Sequence, residues 1–183
     1  PAWRDRVLRR WVASLALPPL PSQGLRAIAD ELIPAREDGA PAFAWSGAVL
    51  RRWRDLLHAG PVLAALPADF AVEWDGRAPL ALPTGETLVL SPAGAFDAPL
   101  RVRPRRGGER LVLPGRTHSS ELKHVLQDLG IPPWQRARLP LLFGPDEELL
   151  AAGDVVVAAP LQAWLAGHGR CLRLQAAAPP QPR

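Results

Sequence analysis

Proline divides this chain into segments that are too short for long helices or strands. Twenty-two of its 183 residues are proline and 15 are glycine, and proline ends a helix and is excluded from the middle of a sheet. The chain is nevertheless 48% hydrophobic, which is enough for a real core at this length. We therefore expect one ordinary domain or two small ones, built from short elements.

The N-terminal third contains two helical patterns and one ambiguous stretch. A first helix is predicted from Trp3 to Leu17, where "LPPLPS" ends it. Its apolar positions recur at helical spacing: Val7, Leu8, Trp11, Val12 and Leu15. A second helix is predicted from a cap at Ser22 to the residue before Pro34. The stretch "AFAWSGAVLRRWRDLL" then fits either a helix or a β-hairpin that turns at Ser46-Gly47, and the hairpin is the preferred interpretation.

The remainder of the chain is typical of short strands with one main helix. The runs "FAVEW" and "ETLVL" indicate a β-rich connector, and "LRVRP", "PLLF", "ELLAA", "VVVAA" and "CLRLQ" indicate strands of a second domain. One amphipathic helix is expected from about Ser119 to Leu129, where Gly130 ends it. The predicted fold class is α+β.

Four segments follow from these patterns. Residues 1–60 are expected to form a small helical unit with a β-hairpin, and residues 61–94 a β-rich connector. Residues 95–178 are expected to form a small α+β domain of short strands and one main helix, and residues 179–183 a disordered tail.

Positive charge is concentrated in one window of the chain. The net charge is +4, and Lys123 is the only lysine among 22 cations. Residues 1–66 carry +3, residues 67–94 carry −3 and residues 95–183 carry +4, while residues 97–138 alone hold nine cations against four acids. An arginine excess caused only by a GC-rich coding sequence would be spread more evenly. The window is therefore expected to meet a negatively charged partner.

The first part of this window is an alternating arginine pattern. Arg101, Arg103 and Arg105 alternate with apolar residues, so on a strand their guanidinium groups would lie about 6.6 Å apart in a row. Such a row suits phosphates, although it could also be a solvated strand face. Arg106 precedes Gly107-Gly108, a pair that either lets the backbone approach a ligand or simply forms a hairpin turn.

The stretch "LGIPPWQRARLP" has the composition of a structural corner that also carries charge. Pro133 suits the first position of a helical turn, and Trp134 is expected to pack against the core. Arg136 and Arg138 are expected to remain exposed, about 200° apart on that turn. We therefore expect one of them to anchor the corner and the other to contact a ligand.

Catalytic and metal-binding patterns are weak. His118 and His124 flank Glu121 but are six residues apart, about 240° around a helix, so they cannot share a metal ion there. Cys171 is the only cysteine, which excludes a disulfide framework or a cysteine cluster within one chain. Asp146-Glu147-Glu148 is expected to be a solvated turn, glycine-rich phosphate loops are absent, and no apolar run reaches the roughly 18 residues of a membrane span. The chain is predicted to bind rather than to catalyse.

A series of motifs places the chain near a known family. Gly107-Gly108, "GRTHSSELKHVLQDLGIPPWQRARLPLLF" and "LLAAGDVVVA" follow the arginine-rich strand in an order that resembles the C-terminal part of the bacterial tRNA(Ile)-lysidine synthetases. Less specifically, "LRRWVASLALPPLPSQGLRAIADEL" and "VLRRWRDLL" resemble the central substrate-binding domain of that family.

The resemblance implies that catalysis takes place in a part of the protein other than this chain. In the family, an N-terminal ATP-pyrophosphatase domain with a Ser-Gly-Gly-x-Asp-Ser loop uses ATP and magnesium to adenylate the wobble cytidine of an isoleucine tRNA, and free lysine then displaces AMP. This sequence contains no such loop and starts at Pro1. We therefore expect a non-catalytic, cofactor-free portion of a longer cytoplasmic protein. Its implied partners are an isoleucine tRNA and the family's own catalytic domain, with no membrane. The sequence leaves open whether two copies form a homodimer.

The resemblance also assigns a role to the basic window. The implied tRNA contacts are Arg101, Arg103, Arg105, Arg106, Arg116, His118, Lys123, Arg136 and Arg138. A-form RNA offers phosphates and a shallow minor groove to such residues. The alternative from another class is a protein-interaction or oligomerisation module with a basic surface, and an uncharacterised enzyme is the least favoured interpretation.

Overall fold

The computed structural model describes residues 2–35 and 41–176. The chain divides into two compact units, Pro1–Leu63 and Ala64–Arg183. Each unit combines helices with antiparallel sheets, which confirms the predicted α+β class. The expected tail, residues 179–183, lies outside the described residues.

The first unit begins with two short helices. Helix α1 spans Ala2–Ser14, and α2 spans Ser22–Ala27 before it continues as a π-helical turn over Ile28–Leu32. Helix α1 buries Val12 but leaves Val7 exposed, and it ends at Ser14 rather than at Leu17, so Leu15 lies beyond it and is exposed as well. Only part of the predicted apolar stripe reaches the core. The prediction that Ser22 caps α2 is wrong, because Pro21 holds the cap position and no side chain bonds there.

The rest of the first unit is a three-stranded antiparallel sheet. Its strands are β1 (Ala42–Trp45), β2 (Ala48–Trp53) and β3 (Leu56–Pro61), in the order β1-β2-β3. Ser46 and Gly47 have φ angles of +41° and +80°, as a tight hairpin turn requires, which confirms the preferred interpretation of this stretch. The second hairpin, through Arg54 at φ +55°, was not predicted.

Arg52 joins this sheet to the end of the π-helical turn. Its Nη1 atom donates to the carbonyl oxygens of Ile33 at 2.6 Å and Ala35 at 2.5 Å. These carbonyls follow the last helical turn, where intrahelical donors are missing. An arginine that the sequence offers as surface charge is therefore a structural donor.

The second unit is built on a five-stranded antiparallel sheet of order β12-β11-β10-β7-β4. Its strands are β4 (Val72–Trp74), β7 (Leu100–Arg103), β10 (Leu141–Phe143), β11 (Leu149–Ala152) and β12 (Val156–Val157). A three-stranded sheet of order β13-β6-β5 consists of β5 (Leu80–Ala81), β6 (Thr87–Ser91) and β13 (Cys171–Gln175). A two-stranded sheet joins β8 (Arg110–Val112) to β9 (Ser119–Glu121). The helices are α3 (Leu122–Asp128), α4 (Pro133–Arg136) and α5 (Ala159–Gly167).

Residues 64–94 belong to this second unit. Strand β4 pairs with β7, and β6 pairs with β13 along five residues. The segment expected as a connector therefore supplies strands to two of the sheets. Helix α5, which follows the predicted strand "VVVAA", was not predicted. The predicted helix over residues 119–129 starts later, at Leu122, because Ser119–Glu121 pairs as β9.

The five-stranded sheet separates two apolar cores. Leu100 and Val102 face one core with Trp74. Leu141 and Phe143 face the other, where Leu122 and Leu126 of α3 pack. The register pairs Arg101 with Phe143 and Arg103 with Leu141, and directly paired residues share a face. Both arginines therefore lie at the rim of the second core.

Candidate nucleic-acid interface

Arg101 is the most compensated cation of the predicted set. It is exposed on β7, but its Nε lies 3.3 Å from Glu73 Oε1 and its Nη1 lies 2.6 Å from Glu147 Oε1. The two carboxylates come from β4 and from the turn after β10. A phosphate would have to displace them, so Arg101 is the least available cation of this strand.

Arg103 stacks on an aromatic ring instead of pairing with an acid. Its guanidinium carbon lies 3.8 Å from the ring centroid of Phe143, a cation–π contact that leaves the charge uncompensated. Nη1 also donates to the Pro104 carbonyl oxygen at 3.4 Å. The guanidinium of the half-buried Arg103 is therefore held in place and keeps its positive charge.

The predicted row of three arginines is only two residues long. Strand β7 ends at Arg103, so Arg105 lies in the following loop. Its Nε is 3.4 Å from Glu109 Oε2. The prediction that Arg105 shares the strand face is wrong, because the loop turns around that carboxylate.

The Gly-Gly segment forms a loop around Glu109. Glu109 Oε1 accepts hydrogen bonds from the backbone N–H groups of Arg106 at 2.5 Å and Gly107 at 2.9 Å. Gly107 and Gly108 have φ angles of +96° and +78°, which disfavour any residue with a Cβ. Strands β7 and β8 pair with other strands and not with each other, so the hairpin-turn interpretation is wrong.

Glu109 is ionised in this loop. Burial raises the pKa of its carboxyl, but backbone N–H groups, including those of Arg106 and Gly107, and the Arg105 guanidinium outweigh burial and lower the pKa below its ordinary value. The side chain is only 5% exposed. Sequence reasoning missed this residue, although an acid directly after Gly-Gly in a basic window was a visible signal.

Arg106 is the exposed cation at the centre of the loop surface. Three grooves, of about 530, 240 and 410 Å³, share it as a lining residue. Arg103 lines the first two grooves, and Lys123 of α3 lines the third. Among the described residues, the side chains of Arg106 and Lys123 have no ion-pair partner. These two cations are therefore available to an anionic ligand.

A larger groove of about 840 Å³ lies along β9 and α3. Its basic lining residues are Arg110, Arg116, His118 and His124, and its acidic ones are Glu121 and Asp128. Arg110 pairs with Glu121 at 3.2 Å, whereas Arg116 is exposed and has no ion pair to any residue in the described ranges. Arg110 was not predicted, although it directly precedes the apolar run of β8.

Of His118, Glu121 and His124, only His124 lies within a helix. His118 precedes β9 and is not on the helix, so the angular argument does not apply. His124 Nδ1 lies 3.8 Å from Glu121 Oε2. Within residues 2–35 and 41–176, no group of three histidine, cysteine, aspartate or glutamate side chains is placed to hold a metal ion.

The Pro-Pro-Trp corner has the predicted backbone. Gly130 at φ +71° ends α3, and Pro133 opens α4. Trp134, expected to pack against the core, is half-buried. Leu129, at the end of the predicted helix, is 53% exposed.

Arg136 and Arg138 are both buried, so the expectation that they remain exposed is wrong. Arg136 Nε donates to the Ile131 carbonyl oxygen at 2.6 Å. Arg138 donates to the carbonyl oxygens of Ala64 at 2.6 Å and Thr84 at 3.1 Å. It also lies 3.3 Å from a carboxylate oxygen of Glu86. Arg136 therefore bonds within the corner itself, and Arg138 ties the corner to residues 64–86 of the second unit.

No helix in the described part of the chain is both long and apolar enough to cross a membrane. The fold consists of two small α+β units, and the second displays uncompensated cations beside its grooves. Two family models match them: the TilS substrate binding domain over residues 1–58 and the TilS substrate C-terminal domain over residues 100–174. The chain belongs to the tRNA(Ile)-lysidine synthase (TilS) family.

Individual relatives agree with these matches. A tRNA(Ile)-lysidine synthase of Xylella fastidiosa (strain Temecula1) is 51% identical over 180 residues, covering 96% of this chain and 41% of that protein. One from Xanthomonas campestris pv. campestris (strain 8004) is 48% identical over 181 residues, covering 98% of this chain and 41% of that protein. The chain thus spans about two fifths of these relatives. A crystal structure of a TilS C-terminal domain superposes with a TM-score of 0.45 and 25% identity, covering 60% of this chain and 100% of the other.

Proposed function

We propose that this chain is the tRNA-binding portion of a tRNA(Ile)-lysidine synthase and that it positions an isoleucine tRNA for modification elsewhere in the protein. The observation that carries the proposal is the group of uncompensated cations around the Gly-Gly loop and along α3. The family membership supplies the RNA class, because the matched relatives are named for a tRNA.

The proposed contacts are narrower than the full basic window. Arg106, Arg116 and Lys123 are exposed and have no ion pair to a described residue, and Arg103 keeps its charge on an aromatic ring. His118 lies in the larger groove beside Arg116 and adds a weaker contact. Phosphate contacts of this kind fix the position of an RNA without reading its sequence, so we expect recognition of shape.

The other predicted residues support this surface from behind. Arg101 is held between two carboxylates, and Arg105 is bound to Glu109. Arg136 and Arg138 serve as internal donors. We therefore propose that these four arginines shape the domain and contribute little to direct RNA contact.

Catalysis under this proposal lies in another part of the protein. ATP and magnesium do not fit the residues present: the sequence lacks a glycine-rich phosphate loop, and the described residues group no three metal ligands. The family's N-terminal domain would supply the ATP-dependent ligation of lysine to the wobble cytidine. The two parts on one chain would gain affinity through effective concentration.

The proposal also covers the cellular location and the number of copies that form the contact surface. The protein would act in the cytoplasm with the tRNA pool and without a membrane. The cations of the proposal all lie within the second unit of the chain, so one copy presents the whole proposed contact surface.

Single-residue variants test the contact surface. Arg106→Ala and Lys123→Ala should each lower the affinity for isoleucine tRNA roughly 5- to 8-fold at about 0.1 M salt, since each removed phosphate contact changes the salt slope by about 0.7–0.9. The matched control is Arg77→Ala, which removes an equal charge from an exposed arginine already paired with Asp75 at 3.2 Å. An equal loss for Arg77→Ala would show that only net charge matters. No binding by the unmodified chain at low salt would favour the protein-interaction alternative.

A further inference from the structure

The Gly-Gly loop holds an acid inside a basic surface. The Glu109 carboxylate accepts two successive backbone N–H groups, from Arg106 and Gly107, and is paired with Arg105. We infer that Glu109 is a positioning residue for RNA binding: it occupies the anion-binding recess of its own loop and thereby holds the Arg106 guanidinium toward the ligand. This inference rests on the proposed function.

The recess has the features of a phosphate-binding loop whose site is already filled. Successive N–H groups that converge beside glycines in left-handed conformations form a concave anion site. Here Oε1 of Glu109 takes both N–H groups and Oε2 faces Arg105 Nε at 3.4 Å. A phosphate of the RNA therefore meets the exposed side chain of Arg106 and not the loop backbone.

Arg106 depends on this contact for its position. Its own backbone N–H is one of the two donors, at 2.5 Å from Oε1. Both following residues are glycines in the left-handed region, and glycine restricts the backbone least. Without the carboxylate, the loop loses the hydrogen bonds from the Arg106 and Gly107 N–H groups. The backbone that carries the Arg106 guanidinium is then no longer held in place between the three grooves.

The inference predicts an effect of unusual sign. Removing an acid from an RNA-binding surface adds one positive charge and normally strengthens binding. Glu109→Ala, which removes the acceptor oxygens as well as the charge, should instead weaken the binding of isoleucine tRNA roughly 5- to 8-fold at about 0.1 M salt, equivalent to losing one phosphate contact. The matched control is Glu147→Ala, which makes the same charge change at an exposed carboxylate on Arg101 and should bind as tightly as the unmodified chain or more tightly.

A double-variant cycle separates positioning from general destabilisation. In the Arg106→Ala background, Glu109→Ala should cause no further loss of affinity, because its effect passes through the Arg106 guanidinium. A second full-sized loss in that background would overturn the inference. Thermal unfolding without RNA identifies a variant that fails to fold, and Glu109→Asp, which shortens the side chain by one carbon and withdraws the carboxylate from the two N–H groups, then replaces it.

Acetate provides a rescue experiment for Glu109→Ala. Acetate has the four heavy atoms that this substitution removes, so it can enter the recess and accept the same two N–H groups. Acetate should restore tRNA affinity several-fold relative to chloride at equal ionic strength, and it should have no such effect on Glu147→Ala.

The outcomes distinguish the inference from the proposed function. If the unmodified chain binds no tRNA, the proposed function and the inference both fail. If it binds and Glu109→Ala strengthens binding as Glu147→Ala does, or acetate rescues nothing, the inference alone is overturned.

Discussion

Replacing Arg138 with alanine distinguishes an internal anchor from an RNA contact. The Arg138 guanidinium bonds two carbonyl oxygens, of Ala64 and Thr84, and lies 3.3 Å from Glu86. Its side chain is 10% exposed and that of Glu86 is 23% exposed, so water replaces these partners only in part. Removing one member of a buried charge pair costs about 3–5 kcal/mol. We expect about 3 kcal/mol for Arg138→Ala, near the lower end, because Glu86 regains some hydration.

Urea and thermal unfolding of the chain measure this loss. About 3 kcal/mol corresponds to a decrease in Tm of roughly 12 °C for a unit of this size. Arg138→Lys keeps the charge near Glu86 but loses one carbonyl bond, so its loss should be intermediate. The control is Arg116→Ala, an exposed arginine, which should change the free energy of unfolding by less than about 0.5 kcal/mol. The reasoning is refuted if Arg138→Ala unfolds like Arg116→Ala and loses tRNA affinity instead.

Three further predictions concern the backbone and the internal donors. Gly108→Ala should lower the free energy of unfolding by about 1–2 kcal/mol, because φ is +78° there, whereas Gly167→Ala in α5 should be neutral or stabilising in the same denaturation assay. The pKa of Glu109 is lowered in the folded chain, so its contribution to stability is present above the ordinary carboxyl pKa of about 4.3 and is lost as pH falls through the lower folded value. In Glu109→Gln, the free energy of unfolding should therefore decrease less steeply as the pH is lowered. An unchanged acid dependence would contradict this. Arg52→Ala should destabilise the first unit by about 1.5–3 kcal/mol, since its Nη1 bonds the carbonyl oxygens of Ile33 and Ala35, and an unaltered denaturation midpoint would count against that assignment.

Features with a local cause were predictable from the sequence. The hairpin at Ser46-Gly47 follows from two residues that tolerate positive φ, and the end of α3 follows from Gly130. Strand β9 and helix α5 were not predicted, because β9 exists through its pairing with β8 and α5 directly follows an apolar strand run. Pairing between distant segments, such as β6 with β13, has no local signal.

The basic window could be recognised in the sequence, but the partners of its individual cations could not. The acids that compensate Arg101 come from β4 and from a turn far along the chain, and no spacing rule links them to it. Arg138 was expected to be exposed because charged side chains usually are. Its partners lie in residues 64–94, which the sequence suggested were a separate connector.

The salt dependence of tRNA binding tests the central claim most directly. Five phosphate contacts would follow from the basic window alone, but the structure leaves about three or four cations available, with Arg106, Arg116 and Lys123 among them. The affinity of the chain for isoleucine tRNA, measured from low to moderate salt, should therefore fall with a log–log slope of roughly −2 to −3.5. A slope near zero, or no tRNA binding at low salt, would contradict the claim that this chain holds tRNA through these cations.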